Sequence, residues 1–188
     1  MNTLGLHTFA IAPVWNIALI EAEMERIRSH GVGLFEIPLL RPEEIDVAGT
    51  LAFSQRHSVE IICSLGLPGW ADVVDRPDDV LAFLTPAFEV TRSVGSASLS
   101  GVTYGTIGRT SGSAPTEREL DGMCRFLELA AKQATSHGLK LGIEPCNRYE
   151  THLMNRGSDA VAIIERVGAD NIFIHLDTYH MHLEEGSF

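Results

Sequence analysis

The feature that most constrains the fold is a regular alternation of short apolar segments with longer segments of helical periodicity. The predicted strands are residues 4–9, 33–38, 59–65, 97–103, 139–144 and 171–177. The predicted helices are residues 17–30, 42–56, 77–94, 116–137 and 158–167. Strands that alternate with helices at intervals of roughly 30 residues are typical of parallel βα units. The sequence therefore predicts an α/β protein with a parallel sheet.

Two architectures fit this alternation. A doubly wound open sheet is complete with about six strands, whereas a (β/α)₈ barrel needs eight and typically about 250 residues. The length of 188 residues alone favours the open sheet. However, no G-x-G-x-x-G follows the first predicted strand and no G-x-x-x-x-G-K-[ST] occurs, which argues against the main nucleotide-binding folds. The polar residues at the predicted strand ends favour the barrel.

Charge and cysteine content limit the possible partners and the compartment. The formal net charge is -11 with only 14 scattered Lys and Arg residues, which argues against nucleic acid as a partner because phosphate contacts need clustered basic residues. No apolar run approaches the roughly 20 residues of a membrane span, and the N-terminus does not resemble a signal peptide. The 3 widely spaced cysteines suit a reducing cytoplasm. We therefore expect a cytoplasmic protein that binds a small molecule and no membrane.

Titratable residues lie near the ends of several predicted strands. His7 and Glu36 belong to the first two, and Glu144 and Asp177 end the fifth and sixth. Because the carboxyl ends of parallel strands meet at one rim, these side chains are expected to converge there. Carboxylates with imidazoles suit Mn²⁺, Mg²⁺ or Co²⁺. Alternatively, each carboxylate caps the following helix or faces solvent. Glu36 either positions the residues that contact the ligand or pairs with Lys140.

Two longer motifs contain the carboxylates at the ends of the fifth and sixth strands. The string E-P-C-N-R-Y-E-T at 144–151 resembles the G-I-E-P-x-N-R-Y-E-T segment of D-tagatose and D-psicose 3-epimerases. The string H-L-D-T-Y-H-M-H-L-E-E at 175–185 resembles their H-L-D-T-x-H-M-x-x-E-E segment. The resemblance covers essentially the whole chain. It implies a xylose-isomerase-like (β/α)₈ TIM barrel, of which about six βα units are present as a single incomplete domain over residues 1–188.

The resemblance also implies roles for individual residues. Glu144 would be a metal ligand and one of two acid/base carboxylates that flank carbon 3 of a ketose. Asp177 would be a second metal ligand. Glu150 and His180 would hydrogen-bond the substrate near carbons 1 and 2. The implied cofactor is a divalent cation, Mn²⁺ or alternatively Mg²⁺ or Co²⁺. The implied reaction is epimerisation of a free ketose at carbon 3 through an enediolate, and the implied small-molecule partner is a ketose or polyol.

Some positions depart from the family pattern. His7 stands where the related epimerases tend to carry an aromatic residue, and we assign it to substrate binding together with Gly66, which follows the third predicted strand. The family's third and fourth metal ligands, a His and a Glu, would lie beyond Phe188. We therefore expect the 188-residue chain alone to bind metal weakly and to epimerise poorly.

Other functions remain open from the sequence. The chain could be a catalytically incomplete barrel fragment or remnant. It could also be a related sugar isomerase or an inosose dehydratase, whereas an apurinic endonuclease is opposed by the acidic charge. The related epimerases are commonly dimers or tetramers, so the resemblance implies a homo-oligomer.

Overall fold

The computed structural model describes residues 3–187, which form one parallel sheet of six strands with helices between them. The strands are β1 (Leu4–His7), β2 (Val32–Pro38), β3 (Glu60–Ser64), β4 (Ser98–Ser100), β5 (Lys140–Ile143) and β6 (Ile172–Ile174). The helices are α1 (Ile17–Ser29), α2 (Val47–His57), α3 (Pro77–Ser93), α4 (Glu117–Ser136), α5 (Gly157–Val167) and α6 (Thr178–Glu184).

The order of the strands decides between the two predicted architectures. Each strand pairs in parallel with the next strand in sequence, from β1 through to β6. A doubly wound sheet reverses its strand order at a switch point, and this sheet has no such reversal within residues 3–187. Sequential pairing is the winding of a (β/α)₈ barrel. The barrel prediction is confirmed, and the open-sheet alternative is wrong.

The hydrophobic core lies where the helices pack against the sheet. Phe35 and Ile37 of β2 are fully buried, as are Phe53 of α2, Phe88 of α3 and Phe126 of α4. Burial of each such side chain stabilises the fold by roughly 1.5–3 kcal/mol relative to exposure. Among the described residues, no helix combines the length and the apolar character needed to cross a bilayer.

The predicted helix over residues 42–56 is wrong in its first part. A 3₁₀ turn at Pro42–Glu44 comes first, Ile45 is extended, and α2 begins only after Asp46. The Asp46 side chain accepts a hydrogen bond from the backbone N–H of Gly49 at 2.9 Å. Because an Asp at this position satisfies a free N–H group of the first turn, the helix starts anew there instead of continuing from the proline.

Several predicted strands are longer than the strands in the structure. The predicted strand 97–103 is reduced to Ser98–Ser100 because Gly101 adopts φ +111°, where a Cβ atom would lie 2.5 Å from the Leu65 carbonyl oxygen. The predicted strand 171–177 is likewise shorter, and the segment after it forms α6, a helix that the pattern did not predict.

Candidate active site

The carboxyl ends of the strands surround a cavity of about 480 Å³. Its polar lining residues are His7, Glu36, Ser64, Glu144, His175 and Asp177. Four of the six predicted site residues line it, namely His7, Gly66, Glu144 and Asp177, and the other two, Glu150 and His180, lie outside the lining. The cavity therefore combines three carboxylates and two imidazoles at the rim where parallel barrels carry their active sites.

Glu144 is held in place through its backbone. Its N–H donates to the carbonyl oxygen of Gly101 at 3.0 Å. Its own carbonyl oxygen accepts a hydrogen bond at 3.0 Å from the hydroxyl of Tyr104, which is fully buried. Both the N–H and the carbonyl of Glu144, at the end of β5, are thus bonded to the loop after β4. The Glu144 side chain, 15% exposed, consequently enters the cavity from a fixed position.

The surroundings of Glu144 raise its pKa. Burial is the main cause because it disfavours the charged carboxylate. The imidazoles of His175 and His180 oppose this effect, with Nδ1 of His175 at 3.9 Å and Nε2 of His180 at 3.8 Å from the carboxylate oxygens. The charges of Asp177 and Glu36 raise the pKa further. A carboxylate with a raised pKa is a stronger base, which suits proton transfer near neutral pH.

Asn147 connects two of the predicted site residues, His180 and Glu150. Nδ1 of His180 accepts hydrogen bonds from the backbone N–H of Asn147 at 3.3 Å and from its side-chain amide at 2.9 Å. The same amide donates to Glu150 at 2.9 Å. Because a backbone N–H can only donate, Nδ1 of His180 carries a lone pair and the proton of the neutral ring lies on Nε2, which faces Glu144. Asn147 was not singled out in the sequence, although it lies within the first motif.

Asp177 both lines the cavity and caps a helix. One of its oxygens, Oδ1, accepts a hydrogen bond of 2.7 Å from the backbone N–H of Tyr179 at the start of α6. The alternative that this carboxylate caps the following helix is therefore correct, and it holds together with the predicted position at the rim. Within residues 3–187, the second oxygen, Oδ2, has no hydrogen-bond partner.

The donor atoms around Glu144 decide which residues could hold a cation. Among the described residues, ligand atoms of Glu144, Cys146 and His180 lie within 4.8 Å of one another. Burial raises the pKa of the Cys146 thiol well above its usual range, so it stays neutral. His180 presents a proton on Nε2. Glu144 is thus the anionic donor of this group, and Asp177 is a further carboxylate in the same cavity. Burial and then the charge of Asp177 raise the pKa of Glu144, and a divalent cation would relieve this repulsion.

The two remaining rim residues have partners that the sequence did not specify. Glu36 lies 3.8 Å from Nε2 of His7. Glu36 does not pair with Lys140, which is exposed at the first position of β5, at the end of the sheet opposite the cavity. A Cβ atom on Gly66 would lie 3.1 Å from Cδ1 of Ile107, so the glycine leaves room for that loop residue at the mouth of the cavity.

Comparison with known proteins agrees with this geometry. The family model described as "Xylose isomerase-like TIM barrel" matches residues 24–187. The chain belongs to this family. An L-ribulose 3-epimerase of Methylomonas sp. (strain DH-1) is 33% identical over 185 residues, which cover 96% of this chain and 64% of the relative. A ketose 3-epimerase of Arthrobacter globiformis is 30% identical over 186 residues, covering 97% and 64%.

Solved structures give the same result. The crystal structure of a D-allulose 3-epimerase from Methylomonas sp. in complex with D-allulose is 30% identical, with a TM-score of 0.87 over 97% of this chain and 64% of that one. A structure of L-ribulose 3-epimerase is 28% identical, with a TM-score of 0.89 over 99% and 64%. The resemblance to ketose 3-epimerases is confirmed. The chain spans 64% of the length of the relatives named here.

Proposed function

We propose that the protein to which this chain belongs epimerises a free ketose at carbon 3. The observation that carries the proposal is the mostly buried carboxylate of Glu144, which has a raised pKa and lines, together with Asp177, a cavity at the carboxyl ends of the strands. The relatives named as ketose and L-ribulose 3-epimerases support the same reaction.

A divalent cation is the proposed cofactor, with Mn²⁺ first and Mg²⁺ or Co²⁺ as alternatives. Glu144 and Asp177 would hold it, because both are anionic oxygen donors in the same cavity and such donors suit these hard cations. When bound, the cation supplies positive charge that stabilises negative charge developing on the sugar oxygens.

Glu144 acts as the base in this proposal. Its carboxylate removes the proton from carbon 3, and the electron pair left on carbon 3 moves toward the carbonyl at carbon 2, giving an enediolate of the sugar. Return of a proton to the opposite face of carbon 3 inverts that centre and restores the carbonyl. The resemblance assigns this second transfer to a Glu outside the present sequence.

The neighbours of Glu144 bind and orient the sugar. The proton on Nε2 of His180 can donate to a sugar oxygen near carbons 1 and 2, and the Asn147 side chain fixes His180 and Glu150 relative to each other. Because these contacts are made before substrate arrives, little reorganisation is needed during proton transfer. His7 and Gly66 would contact the rest of the sugar from the other side of the cavity.

Hydrogen exchange tests this proposal because it isolates the first proton transfer. The whole protein to which this chain belongs is incubated with Mn²⁺ and D-fructose, D-tagatose or D-psicose in D₂O, and deuterium at carbon 3 is measured by NMR. Deuterium is expected with the native protein and not with its Glu144→Gln variant. A surface control, Glu43→Gln, should exchange like the native protein, since Glu43 is exposed. Exchange that persists in Glu144→Gln, or no exchange with any of the three sugars, would refute the proposal.

Two further proposals concern the setting of the enzyme. A cytoplasmic location is supported by the three cysteines, which are buried free thiols in the structure. A homo-oligomer is proposed from the resemblance, and light scattering of the purified protein tests it.

A further inference from the structure

His7 and Glu36 form a second polar pair, on the side of the cavity away from the proposed base. They are register partners in the neighbouring strands β1 and β2, whereas Glu144 and Asp177 follow β5 and β6 at the other edge of the sheet. All four nevertheless line one cavity. A ketose whose carbonyl end lies at Glu144 therefore extends its remaining carbons toward His7 and Glu36.

The hydrogen bonding of His7 fixes what this pair can bind. Nδ1 of His7 accepts a hydrogen bond of 3.1 Å from the backbone N–H of Phe9. The proton of the neutral ring is therefore on Nε2, and Nε2 lies 3.8 Å from Oε1 of Glu36. That distance exceeds the roughly 2.7–3.2 Å of a hydrogen bond. Within residues 3–187, the Glu36 carboxylate has no hydrogen-bond partner of its own. The pair thus offers one donor and one acceptor with a gap between them.

A hydroxyl group fits this arrangement because it accepts and donates at the same oxygen. It can take the proton from Nε2 of His7 and give its own to the carboxylate of Glu36. Both side chains are mostly shielded, with exposures of 35% and 17%, so a substrate lacking the hydroxyl would leave these polar groups unpaired on binding.

The rest of the lining narrows the substrate class. The described residues around the cavity include three carboxylates and neither Lys nor Arg. A phosphate or carboxylate on the far end of the sugar would meet negative charge there without a permanent cation to pair with it. Exposed apolar residues, Phe9, Leu40 and Ile107, complete that side of the mouth and suit the carbon chain of a sugar.

We propose that His7 and Glu36 together select a neutral ketose with a free hydroxyl at the end remote from its carbonyl, and discriminate against 6-deoxy and 6-phosphorylated ketoses. This inference rests on the proposed function, because the placement of the carbonyl end at Glu144 and Asp177 sets which end of the sugar reaches the pair.

Equilibrium binding tests the inference without relying on turnover. The whole protein to which this chain belongs is titrated by calorimetry, in the presence of Mn²⁺, with D-fructose, 6-deoxy-D-fructose and D-fructose 6-phosphate. Because the hydroxyl bonds a charged group, D-fructose should bind about 10- to 100-fold more tightly than the deoxy sugar, and the phosphate ester should bind more weakly than D-fructose. In His7→Phe, which keeps an aromatic ring, the preference for D-fructose over the deoxy sugar should fall to about one. In Glu36→Gln, which keeps an acceptor oxygen, it should fall part of the way.

The outcomes separate this inference from the proposed function. Equal binding of D-fructose and its deoxy analogue by the native protein, or an unchanged preference in His7→Phe, would overturn the role of the pair while leaving the epimerase proposal intact. Failure to bind any of the three sugars would overturn both. If His7→Phe does not fold, ¹⁵N NMR of the native protein with diamagnetic Mg²⁺ decides, since D-fructose should shift the His7 imidazole signals and the deoxy sugar should not.

Discussion

Replacement of Tyr104 by Phe removes a single hydroxyl from the support of Glu144. That hydroxyl donates to the carbonyl oxygen of Glu144 at 3.0 Å and lies 3.4 Å from the carbonyl oxygen of Met154. Burial raises the pKa of Tyr104 well above its usual range, so the phenol remains a donor throughout the neutral and mildly alkaline range. Among the described residues, the only other side-chain hydrogen bond to the Glu144 carbonyl comes from the Cys146 thiol at 3.6 Å, a weak donor.

The expected cost follows from these contacts. A typical net hydrogen bond contributes about 0.5–1.5 kcal/mol, and a buried carbonyl left without a partner costs about 1–3 kcal/mol. Because the thiol partly compensates, we expect the free energy of unfolding to fall by about 1.5 kcal/mol in Tyr104→Phe. For a chain of this size, that loss lowers the Tm by roughly 3–6 °C.

Urea and thermal unfolding followed by circular dichroism measure this change. Tyr149→Phe is the matched control, because Tyr149 is 75% exposed and its substitution should change stability by less than about 0.5 kcal/mol. If the two variants unfold at the same temperature, the buried hydroxyl does not support the position of Glu144 and the reasoning above is wrong.

Two other substitutions probe the frame around the site. In Gly142→Ala the new Cβ would lie 2.4 Å from Cβ of Ser100, so we expect the free energy of unfolding to fall by roughly 1–3 kcal/mol. In the control Gly69→Ala the new Cβ has open space, so its Tm should equal that of the native chain. Equal Tm values for the two variants would contradict the predicted clash. The backbone N–H of Thr116, at the start of α4, is the main cause that lowers the pKa of Glu119 from 4.5 to about 2. The Glu119 carboxylate therefore stabilises the fold above about pH 4.5, and this contribution is lost as the pH falls toward 2. In urea titrations Glu119→Gln should therefore be less stable than the native chain at pH 7, and this difference in stability should shrink in acid. Glu117→Gln, in the same first turn, is the control. An equal loss of stability in Glu117→Gln would show that the Thr116 hydrogen bond is not the source of the effect.

The sequence was sufficient for the order of the strands and for the placement of Glu144 and Asp177 at one rim. The alternation of apolar strands and amphipathic helices predicted six parallel strands, and the acidic residues at the ends of β5 and β6 predicted the rim on which Glu144 and Asp177 lie. These features depend on local patterns that repeat along the chain. The break before α2 was missed, because a single cap at Asp46 outweighed the helical periodicity around it.

Contacts between distant residues could not be predicted in the same way. Asn147 and His180 are 33 residues apart, and their hydrogen bond depends on how α6 returns toward the end of β5. The pairing of Glu36 with His7 depends on the register of β1 against β2, which no short segment determines. Lys140 was an open candidate for that reason, and only the strand direction places it at the far end of the sheet.

The split use of the two Asp177 oxygens has a consequence for affinity. Since the amide at the start of α6 anchors one oxygen, folding has already chosen the rotamer that aims the other. If Asp177 holds the proposed cation, that ion loses little of its binding free energy to ordering this side chain. An asparagine here could still cap the helix while lacking the negative charge, so the shape of the rim and the negative charge proposed to bind a cation can be altered separately.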